Sequence, residues 1–160
     1  MRRRKSVRKI LAIDIGAGTE DILIYDQAKN VENCVKMILP TPSIVHAASV
    51  DRATMLGKDI FVRGYTIGGG IFATSVIRHL EKGFRAIMTE SAAYSIRNDL
   101  DEVKQVGIEV SRGEEPPEGF NGEVLDIGEV NLKELDGFLS KKNVTLSDVD
   151  VMAIAVQDHG

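Results

Sequence analysis

Residues 11–26 read LAIDIGAGTEDILIYD, and the reading of this run decides the fold. An apolar segment, Leu11 to Ile15, enters Gly16-Ala17-Gly18-Thr19, and a second segment, Asp21 to Tyr25, leaves at once. Two short apolar runs separated by a glycine turn predict a β-hairpin. Gly16 and Gly18 are free to take positive φ and let a ligand approach the backbone. Successive amides in such a turn face an anion, and Thr19 adds a hydroxyl. Asp14, near the end of the first strand, is placed to hold Mg²⁺ through water, because Mg²⁺ keeps several waters and takes few carboxylates. The predicted site is Asp14, Gly16, Ala17, Gly18 and Thr19, with Asp14 as the metal residue.

Two other phosphate motifs do not fit this turn. A P-loop needs Lys followed by Ser or Thr after the glycines, and Thr19-Glu20-Asp21 has no Lys. The dinucleotide fingerprint needs a third Gly or Ala and a helix, whereas Asp21 and the strand-like Ile22 to Tyr25 follow here. The plain alternative is an ordinary hairpin with a glycine turn.

The run resembles the first phosphate motif of the actin, Hsp70 and sugar-kinase ATPase superfamily. Together DIGAGTEDILIYD, LPTPS at 39–43, GYTIGGG at 64–70 and AVQDHG at 155–160 resemble an uncharacterised prokaryotic family, over nearly all of residues 9–160. Many of its members carry the label "putative pyruvate formate-lyase activating enzyme". The resemblance implies an α/β fold: an actin-like ATPase (ribonuclease H-like) lobe, whose mixed sheet joins an antiparallel N-terminal meander to parallel βαβ units. It also implies Mg²⁺ with ATP or ADP, and ATP hydrolysis or phosphoryl transfer. The Glu20-Asp21 pair departs from the usual superfamily turn and weakens the case for ATP itself.

The bulk composition is that of a soluble globular chain. It has 160 residues, 43% hydrophobic and 28% charged, enough for one domain with a core. Six basic residues crowd the first nine positions, while 20 basic stand against 24 acidic overall, a net of −4. The remainder therefore carries about −10, which argues against a nucleic-acid-binding body. Residues 1–9 read as a basic, frayed arm and 10–160 as a single lobe, half of a longer protein. Asp14 interrupts the apolar stretch after the arm, which excludes a signal peptide. No apolar run is long enough for a membrane span. Cys34 is the one cysteine; it permits no internal disulfide, suits a reducing cytoplasm, and cannot assemble the iron–sulfur cluster that the label implies.

Further along, Cys34 to Leu39 alternates as a third strand ended by Pro40 and Pro42. Ile44 to Thr54 reads as a short helix or irregular crossing, and Thr41-Pro42-Ser43 as a structural turn. Ile60 to Ile67 predicts a strand entering Gly68-Gly69-Gly70, and Phe72, Val76, Ile77 and Leu80 share the helical face that follows. Phe84 to Met88 is strand-like. Thr89 caps one helix through Ala92, Ile96, Leu100 and Val103, and Ile108 to Val110 is again a strand. Arg112 to Gly122 is a loop, Val124 to Val130 a strand, and Asn131 with Glu134 a capping pattern. There Leu132, Leu135, Phe138 and Leu139 are expected to face the core. Val151 to Val156 is continuously apolar, as a central parallel strand should be. Alternating strands and helices imply parallel crossovers.

Three other features carry candidate chemistry. Gly68, Gly69 and Gly70 open a helix, a ready anion site or a close packing point. Asp158 and His159, just beyond the last strand, are the candidate catalytic groups for positioning water or relaying a proton. A second Asp-Ile-Gly, at 126–128, has no hydroxyl in its turn and reads as chance. His46 and His79 read as isolated and solvated. The expected protein is an actin-like lobe inactive by itself, partnered by nucleotide and by a missing C-terminal lobe, a partner subunit or a second copy. The alternative is a non-catalytic binding or assembly module on the same fold.

Overall fold

The computed structural model describes residues 8–67 and 69–156. In chain order the elements are β1 (Lys9–Ile15), β2 (Thr19–Asp26), β3 (Val35–Pro40), α1 (Pro42–Met55), β4 (Ile60–Gly64), α2 (Gly70–Glu81) and β5 (Ala86–Thr89). Then follow α3 (Glu90–Ala93), α4 (Leu100–Gln105), β6 (Glu109–Ser111), β7 (Glu123–Ile127), α5 (Leu132–Ser140) and β8 (Val151–Val156). The fold is mixed α/β. Where the sequence suggests one lobe over 10–160, the chain groups into two units: residues 8–41 with 130–156, and residues 42–129.

The first unit is built on a sheet of order β3-β2-β1-β8. β1, β2 and β3 form an antiparallel meander, and β8 lies parallel to β1. Period-2 alternation sends Leu11, Ile13 and Ile15 of β1 and Ile22 and Ile24 of β2 to one face, where they are buried with Leu135 and Leu139 of α5. Each such side chain contributes about 1.5–3 kcal/mol on full burial. Asn131 caps α5 by accepting the Glu134 amide at 3.1 Å. Leu132 and Phe138, expected in the core, are exposed instead. On a nine-residue helix a single stripe, here Leu135 and Leu139, meets the sheet.

β8 departs most from expectation. Its apolar run predicts a central strand, yet it lies at the sheet edge with all six residues exposed. Nothing among the described residues pairs with its outer side. β1 itself starts at Lys9, inside the stretch read as the arm; the amides of Arg8 and Lys9 donate to Asp150 at 2.9 and 3.1 Å.

The second unit holds the parallel crossovers. Expected to extend the meander, they build a separate all-parallel sheet of order β6-β5-β4-β7. Its core is Ile60 and Val62 of β4, Ala86 and Met88 of β5, Phe72 and Val76 of α2 and Val50 of α1. Pro42 starts α1, where its missing N–H costs nothing, and the segment is fourteen residues of regular helix. β4 ends at Gly64, three residues before the predicted end, and β7 ends at Ile127, before Gly128. The helix predicted after Thr89 is broken into α3 and α4, because Asp99 accepts the Asp101 amide at 2.7 Å and caps a new start. Ala92, Ile96 and Val103 are nonetheless all buried.

Candidate functional site

The hairpin turn of the first unit is built by pairing that continues to its tip. Asp14 pairs with Asp21 and Ile15 with Glu20, and the Gly16 amide donates to the Thr19 carbonyl at 2.8 Å. Ala17 and Gly18 form the two-residue loop. The Thr41 amide donates to the Gly18 carbonyl at 3.3 Å and fixes the loop from the end of β3. Neither Gly16 nor Gly18 lies in the left-handed region, contrary to expectation. Gly18 instead leaves open space: a Cβ built there meets nothing within 4 Å. Among the described residues the Ala17 and Gly18 amides make no hydrogen bond, and both residues are exposed. The Thr19 hydroxyl donates to the Asp21 carboxylate at 3.0 Å.

Register partners share a sheet face, so the Asp14 and Asp21 carboxylates are cross-strand neighbours. Both are exposed, and Ala155 of β8 flanks Asp14 on the other side. Two like charges directly opposite cost roughly 0.2–1 kcal/mol. Sequence reasoning placed Asp14 beside the turn but did not pair it with Asp21; a period-2 count across a two-residue loop carries that signal. Among the described residues, no group of three or more His, Cys, Asp or Glu is gathered for a metal.

The second unit has its own concentration of polar groups, at the carboxyl ends of β4 and β7. Connections from β4 lead to β5 on one side, while β7 adds on the other, so the strand order reverses between β4 and β7. Open parallel sheets bind ligands at such a switch point. Gly64 ends β4 at φ +99°, and a Cβ there would collide with the Ile127 carbonyl oxygen. Glu129 accepts the Thr66 hydroxyl at 2.5 Å and the Ile67 amide. The Thr66 amide donates to Ser95 Oγ at 2.9 Å. Gly69 caps α2 without a side-chain hydrogen bond, against the Ser95 carbonyl, where no Cβ fits. Gly70 is the first residue of α2, and Gly68 lies outside the described residues. Glu129 already engages the Ile67 amide, and its carboxylate opposes a second anion at the same donors. None of Thr66, Ser95 and Glu129 stands out in the sequence, because only the sheet brings them together.

The histidines are not solvated as the sequence suggested. His79 is fully buried, donating from Nε2 to the Arg85 carbonyl at 3.2 Å, with Nδ1 2.7 Å from the Thr54 hydroxyl. Burial holds its pKa below the usual histidine range, against smaller upward pulls from the Arg85 carbonyl and Asp59. His46 on α1 places Nε2 2.9 Å from the Gly128 carbonyl and 3.1 Å from the Gly128 amide. The second Asp-Ile-Gly thus closes β7: Asp126 pairs with Arg63 at 2.6 Å and Gly128 meets His46. Asp158 and His159, the candidate catalytic pair, lie outside the described residues.

Residues 67–160 match the model of a family described as "Putative pyruvate format-lyase activating enzyme (DUF1786)". The chain belongs to this family. The match begins beyond the hairpin and takes in α2 through β8. Comparison with curated proteins returned no match. Among the described residues no helix is long and apolar enough to cross a membrane.

Proposed function

We propose that the first unit is an actin-like lobe that binds a nucleotide phosphate together with hydrated Mg²⁺ at the β1–β2 turn. One observation carries this reading: Asp14 stands exposed at the end of β1, beside a turn whose Ala17 and Gly18 amides are unengaged. The antiparallel β1-β2-β3 meander with β8 parallel to β1 supports the actin-like assignment. Asp14, with Asp21 across the ladder, would hold the hydrated metal, which would offset both the repulsion between the two carboxylates and the charge of the phosphate. Gly16 to Thr19 would line the phosphate. Positioning and charge stabilisation account for most phosphoryl-transfer catalysis, and Asp158 and His159 remain the candidates for placing water.

The chemistry named in the family description fits these residues poorly. An enzyme that activates pyruvate formate-lyase through a radical uses an iron–sulfur cluster held by several thiolates. These 160 residues contain one cysteine. Cys34 is buried, its Sγ 3.4 Å from the Asp26 amide.

Calorimetric titration with Mg·ADP and Mg·ATP tests the proposal. Heat of binding that disappears in Asp14→Ala is the expected result. Turnover by this chain alone is expected to be negligible. No heat with either nucleotide would reject the phosphate site and favour the second reading, a binding or assembly module, for which the exposed β8 edge is the supporting observation.

A further inference from the structure

The edge of the first sheet formed by β8 is a pairing surface, and we infer that a second copy of this chain adds to it antiparallel, β8 against β8. The inference is independent of the phosphate site. β8 reads VMAIAV, with no charge, Pro or Gly. It is exposed on both faces: Met152 and Ile154 are 42% and 47% accessible on one, Val151 42% on the other. Exposed edges are normally guarded by Lys, Pro or short length. The opposite edge of this sheet has such guards, with Lys36 exposed in β3 and Pro40 closing it. β8 has none, so the two edges of one sheet are treated differently.

The strand is also self-complementary. A two-fold axis perpendicular to the sheet keeps each face continuous, so only residues of one face can oppose each other. With the axis at Ala153, Met152 opposes Ile154 of the second copy on the face that carries Leu11 and Ile13. Val151 opposes Ala155, and Ala153 opposes itself, on the face that carries Ala12. Large apolar side chains meet on one face and small ones on the other, the kind of cross-strand pair that stabilises a sheet. No like charges oppose within β8. The result is one eight-stranded sheet, β3-β2-β1-β8-β8-β1-β2-β3.

Sedimentation velocity across a concentration series tests the pairing. The expected species has twice the monomer mass, and Ile154→Lys weakens the association about tenfold or more with an unchanged far-UV spectrum. Mild oxidation of cysteine variants tests the register. Ala153→Cys is expected to cross-link two chains. Ala155→Cys is not, because its two copies lie four residues apart, about 13 Å. A monomer at every concentration overturns the inference, and so does equal cross-linking at 153 and 155. Loss of the cross-link when Ile154→Lys is combined with Ala153→Cys confirms that the apolar edge drives it.

Discussion

Gly64→Ala provides a quantitative test of the β4–β7 junction. Gly64 has φ +99° and lies against the Ile127 backbone, with the carbonyl inside any acceptable Cβ contact and the amide nitrogen at 3.2 Å. Its register partner is Ile127, so the neighbour is ladder backbone and cannot rotate away. A left-handed conformation costs an alanine about 1–2 kcal/mol. Overpacking against fixed structure adds about 1–3 kcal/mol. The reduced entropy of the unfolded chain returns about 0.4–1 kcal/mol. The net loss is therefore roughly 2–4 kcal/mol. Gly83→Ala is the matched control: φ is +85°, but a Cβ there meets nothing within 4 Å, so the same terms without the collision give about 0–1.5 kcal/mol. Urea unfolding followed by far-UV circular dichroism gives both values, and hydrogen exchange of the β4 amides locates the loss. If Gly64→Ala falls within about 0.5 kcal/mol of Gly83→Ala, the collision argument, and with it the close approach of β4 and β7, is wrong.

Three further outcomes follow from the geometry. Asp14→Asn relieves the pairing with Asp21 and raises stability by roughly 0.2–1 kcal/mol without metal, while abolishing any rise in Tm that Mg²⁺ produces in the parent; a lower Tm without metal would contradict the carboxylate pairing. His79 has its folded pKa depressed by burial. Its contribution is complete above the unfolded pKa of about 6.5 and is lost as pH falls from there toward the folded value. His79→Gln should flatten that part of the stability–pH curve, and an unchanged curve would show that His79 does not titrate on unfolding. Arg63 hydrogen-bonds Asp126 and Glu115 and the Glu114 carbonyl at 3.2 Å. Arg63→Ala should leave global stability almost unchanged but speed proteolysis between 112 and 122; equal cleavage rates would show that Arg63 does not tether the loop.

Much of the local structure was legible because its signals are local. The 16–19 turn, the strands on either side of it and the Asn131 cap depend on residues within a few positions of each other. β8 was predicted with its observed ends, from an apolar run bounded by Asp150 and Gln157. Where Asp99 caps a second start, a continuous apolar periodicity concealed the break between α3 and α4. The phosphate-turn candidates were legible as residue types, but the conformation of Gly16 and Gly18 was not.

By itself, then, the sequence determined the meander, the alternation of strands and helices after it, and the two-residue turn beside Asp14, since each is encoded by periodicity and turn chemistry at short range. Only the tertiary structure decided that the crossovers form their own parallel sheet, that β8 stands at an edge, that Glu129 reaches Thr66, and that His79 is buried. Those outcomes depend on which strand edge is satisfied by which partner across long stretches of chain. An apolar run states that it will be covered; it does not state by what.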